Sequence, residues 1–158
     1  MPTEPQLRPA EPPADGPVAV TIRAFADADE DAVVALWQAC GLTRPWNDPH
    51  RDIERKRAVQ RELFLVAEDG ERRVVASVMG GYDGHRGWIN YLAVDPRHQR
   101  QGIAAALVRE LEARLLALGC PKLNLQVRSG NEAANRFYES LGYQRDDVVS
   151  FGRRLIPD

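Results

Sequence analysis

The chain has 158 residues, of which 44% are hydrophobic and 28% charged, and it carries a net charge of −2. That is one domain's length at ordinary globular composition, which excludes collagen-like, coiled-coil and wholly disordered classes. No apolar run reaches the ~18–20 residues that span a bilayer. The slight negative charge provides no overall basic field, so no nucleic-acid partner is expected, although a local basic patch stays open, and no membrane partner is expected either. Two cysteines, Cys40 and Cys120, make neither a disulfide scaffold nor a metal-ligand pattern.

Residues 1–17 hold six of the eleven prolines and almost no large apolar side chains. Such a segment buries too little surface to offset its ordering entropy, so a flexible tail is expected ahead of one folded domain over 18–158. Met1-Pro2-Thr3-Glu4-Pro5 lacks the basic and apolar segments of a signal peptide, and the cytoplasm is the expected compartment.

Val18, Val20 and Ile22 alternate with smaller or polar residues and predict a strand. Asp27 with Glu30 reads as a capping box, and Val33, Leu36, Trp37 and Cys40 follow on one helical face that Gly41 ends. Asp48-Pro49 starts a second helix, with proline at its first position. Leu63–Glu68, Arg72–Tyr82 and Trp88–Val94 read as an antiparallel run of strands, the first two joined by an Asp69-Gly70 turn. Gly102 opens the strongest helix, with an Ile103, Leu107, Leu111, Leu115, Leu118 stripe stopped by Gly119 and Pro121. Lys122–Val127 reads as a strand and Asn131–Ser140 as a helix, and Tyr143–Leu155 is expected to supply one or two closing strands. The order implies a mixed α/β (α+β) sheet.

The segment Val94-Asp95-Pro96-Arg97-His98-Gln99-Arg100-Gln101-Gly102-Ile103-Ala104 joins a strand to a helix. Glycine at a helix start leaves several N–H groups unpaired and pointing one way, and with the helix dipole they suit a pyrophosphate. Arg97 and Arg100 add charge beside it. Neither the dinucleotide fingerprint nor the P-loop spacing is present. On this segment alone, a tight turn with solvated arginines stays open, as does a nucleotide- or RNA-binding use of the arginines.

Gln99-Arg100-Gln101-Gly102-Ile103-Ala104 resembles the acyl-CoA signature [Q/R]-x-x-G-x-[G/A] of the GNAT N-acetyltransferases. Asn131…Asn135-Arg136-Phe137-Tyr138-Glu139-Ser140-Leu141-Gly142-Tyr143 resembles the same family's later helix, at the right distance. The resemblance covers about residues 18–155. Arg44-Pro45-Trp46-Asn47-Asp48-Pro49 and Gly80-Gly81-Tyr82-Asp83-Gly84-His85-Arg86-Gly87 are similar to the YpeA subgroup of bacterial GNAT proteins. The resemblance implies a mostly antiparallel sheet of six to seven strands flanked by about four helices, with the fourth and fifth strands splayed apart. It implies acetyl-CoA as co-substrate, no metal, and an amine acceptor on a small molecule or a protein. Backbone amides of Gln99 to Ala104 (Gln99, Arg100, Gln101, Gly102, Ile103, Ala104) would hold the pyrophosphate, with Arg97 beside them. The Leu92, Ala93, Val94 edge would pair with the pantetheine amides. Asn131 and Asn135 would contact CoA, and Tyr138 would donate a proton to the departing thiolate.

Asn90 and Gln126 are amides where some GNAT subfamilies carry a carboxylate base, so water is the expected proton acceptor, with Asp83, His85 and Glu68 as alternatives. The same gap leaves open an acyl-CoA-binding sensor or partner module with little catalysis. Tyr138 also sits on an apolar helix face, where it can simply pack. Trp46 either lines the acceptor pocket or packs structurally. His50, His85 and His98 lack metal-ligand spacing. Sheet edges permit a monomer or a homodimer.

Overall fold

The computed structural model describes residues 19–158. The expected tail and Val18 lie outside the described residues. Nine regular elements follow in order: β1 (Thr21–Ala24), α1 (Glu30–Ala39), α2 (Pro49–Arg57), β2 (Phe64–Glu68), β3 (Val74–Tyr82), β4 (Gly87–Val94), α3 (Ile103–Ala117), β5 (Leu123–Leu125) and α4 (Glu132–Ser140). The strands make one sheet in the order β1-β2-β3-β4-β5. All neighbours are antiparallel except β4 and β5, which are parallel because α3 returns the chain. Among the described residues, no helix is long and apolar enough to cross a membrane.

Alternation along β2 feeds two cores. Phe64 and Val66 pack with Val33, Trp37 and Ile53 under α1 and α2. Leu65 and Ala67 pack with Leu107, Leu111 and Leu115 of α3 on the other face, where Phe137 and Tyr138 of α4 also lie. Both faces of β2 are covered, which is why its sequence reads as a continuous apolar run.

Two expectations need correction. The sheet has five strands rather than six to seven. After Tyr143 the chain is held by side chains, through Lys122 to Asp146 at 2.8 Å, Gln126 to Ser150 at 2.5 Å and Arg55 to Asp158 at 2.5 Å. The adjacent pairs Val148-Val149 and Leu155-Ile156, with Gly152 between them, do not give the single apolar face that a strand needs. The second correction concerns the start of α1. Asp27 is drawn away to Arg57 at 3.0 Å and Arg61 at 2.7 Å. Asp29 instead closes the turn, accepting the Ala26 N–H at 2.8 Å and two bonds from Arg23 at 2.7 and 2.9 Å. Burial works against the Asp29 charge, but the Arg23 and Ala26 hydrogen bonds outweigh it and hold the carboxyl below its ordinary range.

Helix α3 presses closely on the sheet because two glycines let it. A Cβ at Gly80 would run into Leu111, and one at Gly87 would meet Cys120 at 2.9 Å. Gly80→Val is therefore expected to cost about 1–3 kcal/mol in urea denaturation, the usual range for overpacking. Gly70→Ala, with nothing within 4 Å, should stay within about 0.5 kcal/mol of wild type.

Candidate functional site

The ladder between β4 and β5 runs only from Gly87–Leu123 to Ile89–Leu125. Beyond that point β4 continues to Val94, paired on its β3 side alone. At the same place β4 bulges. Asn90 faces Met79 and Ala93 faces Ser77, so Tyr91 and Leu92 together face Val78. Tyr91 has a φ of 52°, a left-handed conformation that costs a non-glycine residue about 1–2 kcal/mol. The splayed fourth and fifth strands are thus present, and their opening coincides with a break in the β3–β4 register.

A groove of about 1970 Å³ enters this opening. Asn131, Asn135 and Tyr138 line it on the α3–α4 side of the sheet, and Trp46, Asn47 and Asp52 on the α1–α2 side. Asn90, Tyr91, Leu92 and Gln126 lie between them. Tyr138 stands edge-on to Phe137 and Tyr143, at 5.0 and 5.6 Å between ring centres, and burial pushes its phenol up to about 12. Asn131 caps α4, its side-chain oxygen accepting the Ala134 N–H at 3.1 Å, which leaves its amide hydrogens for other partners. Asn135 reaches Glu132 only at 3.4 Å.

Residues 99–104 are outside the groove's lining, on the turn that carries β4 into α3. Arg100 and Gly102 both take positive φ, at 62° and 80°. The first intrahelical bond runs from Ala106 to the Gly102 carbonyl at 3.0 Å, so the N–H groups of Gly102 to Ala105 have no partner within the helix. A Cβ on Gly102 would meet nothing within 4 Å, so the space over this helix end is open. A pyrophosphate fits such a turn. Arg97 turns back on Asp95 at 3.2 Å, whereas Arg100 is exposed and makes no ion pair among the described residues. The side chains of Ile103, Ala93 and Val94 are in the core, so only their backbone is available to a ligand.

The alternative bases are elsewhere. Glu68 is bound to Arg23 at 3.0 Å, and Asp83 accepts the His85 and Arg86 N–H groups at 2.8 and 2.7 Å in the β3–β4 turn. Neither they nor His85 lines the groove. Three further polar residues line it: Asn47, which stands in the Arg44–Pro49 stretch, and Asp52 and Tyr91, which belong to no motif. Tyr91 donates to Asp52 Oδ2 at 2.6 Å, and Asn47 Nδ2 donates to the same oxygen at 2.6 Å and to the Tyr91 hydroxyl at 2.8 Å. The Asn47-Asp48-Pro49 helix start was the available signal for Asn47 and Asp52. Nothing in a strand sequence announces a bulge at Tyr91.

The family model for the acetyltransferase (GNAT) family matches residues 25–143. The chain belongs to the GNAT acetyltransferase family. It is 53% identical to an acetyltransferase of Pectobacterium atrosepticum over 138 residues, covering 87% of this chain and 96% of that one. Among solved structures it resembles Ard1 from Thermoplasma volcanium with a TM-score of 0.71 and 29% identity, over 79% of this chain and 82% of the other. It also resembles the ribosomal-protein-S18-alanine N-acetyltransferase of Escherichia coli, with a TM-score of 0.65 and 26% identity, over 78% and 77% of the two chains. In this GNAT protein the bulge, the groove and the open helix start all adjoin β4.

Proposed function

We propose that this chain is an N-acetyltransferase that moves the acetyl group of acetyl-CoA to a primary amine by direct attack, with both substrates bound together, in the cytoplasm. The observation that carries this reading is the stretch of β4 freed from β5 at Asn90–Val94, followed directly by the open N-terminus of α3. The acceptor's amine is on a small molecule, a protein N-terminus or a lysine. The likeness to a ribosomal-protein-S18-alanine N-acetyltransferase supports the protein classes.

Acetyl-CoA, when bound, supplies an activated thioester and a thiolate leaving group. The chain's own work is to bind, orient and move protons. The N–H groups of Gly102, Ile103 and Ala104, with those of Gln99, Arg100 and Gln101, form an anion cradle that the α3 dipole reinforces. The Arg100 guanidinium adds positive charge there, and Arg97 does so if it leaves Asp95. The backbone of Leu92, Ala93 and Val94 offers strand-type hydrogen bonds to the pantetheine amides. Asn131 and Asn135 present amide groups from α4. Holding an amine beside a thioester accounts for much of an acyl transfer's rate. Tyr138 then donates the proton that the leaving sulfur needs. Its burial keeps the phenol protonated far above neutral pH, so the donor is always loaded. Asn90 and Gln126 border the groove and cannot take a proton, and the Asp52 carboxylate there is held by Asn47, Tyr91 and Arg55, so water is the proton acceptor.

Two variants test this. Gly102→Val should lower the melting temperature, because a β-branched residue is strained at φ 80°, but should keep the native circular dichroism spectrum at 25 °C, because no atom of the fold lies within 4 Å of the added Cβ. Calorimetric titration should show acetyl-CoA binding weakened tenfold or more, and retained wild-type affinity would remove the cradle from the account. Tyr138→Phe keeps the ring's packing and removes one hydroxyl. Its kcat should fall ~10²-fold, the low end for a general acid, with the KM for acetyl-CoA unchanged. An unchanged kcat would mark Tyr138 as a packing residue. Acetyl-CoA binding by the wild type without transfer to any amine would identify a sensor instead of an enzyme.

A further inference from the structure

A proton donor must be aimed, and Tyr138 has no hydrogen bond to aim it. Burial is the sole influence on its phenol, so among the described residues no side chain holds its hydroxyl. The direction of the ring is therefore set by packing. Phe137, its neighbour on α4, meets it edge-on at 5.0 Å between centres, and Tyr143, past the end of the helix, meets it edge-on at 5.6 Å. Such edge-to-face pairs have a preferred tilt, so a fixed partner ring restricts the other.

The second contact follows from how α4 ends. Gly142 takes φ 93°, and its N–H donates to the Glu139 carbonyl at 3.0 Å. The Tyr143 N–H donates to the Tyr138 carbonyl, also at 3.0 Å. These two bonds make a Schellman motif, in which the residue after the glycine folds back and packs on the last turn of the helix. Here the residue that folds back is Tyr143 and the residue it packs on is Tyr138. One backbone turn thus delivers the ring that confines the donor.

The far end of the Tyr143 ring is tied to a different helix. Its hydroxyl donates to Glu112 Oε1 at 3.0 Å. Glu112 stands on α3 beside Leu111 and Leu115, which are buried in the core under the sheet. Arg145, the nearby cation, is drawn to Glu139 at 3.6 Å and Glu132 at 3.9 Å, and among the described residues Glu112 makes no ion pair that would pull it from the phenol. Tyr143 is therefore held at both ends, by its backbone to α4 and by its hydroxyl to α3. Glu112, Tyr138 and Tyr143 all line the groove.

We propose that Tyr143 and Glu112 are positioning residues for acyl transfer: Glu112 pins the Tyr143 ring, and the Tyr143 ring holds Tyr138 with its hydroxyl toward the leaving sulfur. Neither residue exchanges a proton. The proposal rests on the acetyltransferase reading with Tyr138 as donor, and adds the residues on which that donor's aim depends.

The test is a set of variants of the full chain, assayed by thiol release from acetyl-CoA with n-butylamine as the acceptor. Tyr143→Phe keeps the ring and the helix end and removes the hydroxyl. Its kcat should fall about tenfold, as a modest misplacement of a reacting group does, with the KM for acetyl-CoA within about twofold of wild type. Glu112→Ala should do the same. Glu112→Gln, which keeps an oxygen to accept the phenol, should stay within about twofold of wild type in kcat. In a Tyr138→Phe background, Tyr143→Phe should cost nothing further, because no hydroxyl is left to aim. Equal losses in both backgrounds would make Tyr143 a packing residue, and a Glu112→Gln as slow as Glu112→Ala would move the role to the carboxylate's charge; either overturns the proposal. Fluorine NMR of the 3-fluorotyrosine-labelled protein reads the same geometry without turnover. The flip rate of the Tyr138 ring should rise in Tyr143→Phe and Glu112→Ala and return in Glu112→Gln, and an unchanged rate in the first two would overturn the proposal whatever the activity. An unchanged kcat in Tyr138→Phe alone would instead remove the donor itself and the proposal with it, and that result is read apart from the ring dynamics.

Discussion

Strand β4 must serve two neighbours that make incompatible demands, and the structure follows from how it does so. It pairs with β3 as far as Val94 but with β5 only to Ile89. Where the second ladder stops, one extra residue enters the strand, and Tyr91 takes a left-handed φ of 52°. A bulge there bends the strand and leaves backbone groups of Tyr91 and Leu92 outside the registers on both sides. An unpaired strand edge inside a protein is normally a liability. Here it opens on the groove that also meets Tyr138 and Asn131.

The cost of the bulge is met by side chains. The Tyr91 ring lies flat on Trp37, and its hydroxyl sits between Asp52 and Asn47. Trp37 in turn is fixed by Ser77, the residue that pairs with Ala93 just past the bulge. The loop before α2, the start of α2 and the irregular part of β4 are thus one hydrogen-bonded unit seated on the α1 core. On the opposite face α3 is pressed against β3 and β4 through Gly80 and Gly87, which sets where its N-terminus emerges. The two walls of the groove are therefore positioned by two separate cores that share only the sheet.

Regular structure was legible in the sequence wherever side-chain periodicity reports burial. The α3 stripe from Ile103 to Leu115, the strands on both sides of Asp69-Gly70 and the α4 pattern from Ala134 to Leu141 lie where their spacing puts them, whereas Leu118 falls past the end of α3 and is exposed. The turn from Val94 to Gly102 was legible because glycine at a helix start has a backbone consequence, and Gly102 does take φ 80°. Competition among charges was less visible. Asp27 and Asp29 look interchangeable as caps, and the choice is made by Arg57 and Arg61, which lie thirty or more residues away. The closing strands expected over Tyr143–Leu155 do not form because the apolar residues there fall in adjacent pairs and make no single apolar face. The contact of Tyr91 with Asn47 and Asp52 was hidden for a different reason. Tyr91 reaches that pair only through the bulge, and a bulge leaves no periodic trace.

Amide hydrogen exchange, with and without acetyl-CoA, tests the central claim most directly. If the freed part of β4 and the start of α3 hold the co-substrate through their backbone, added acetyl-CoA should slow exchange at Leu92 to Val94 and at Gly102 to Ala104, while β1 and β2 keep their rates. Acetyl-CoA bound with unchanged exchange across both stretches would contradict the account.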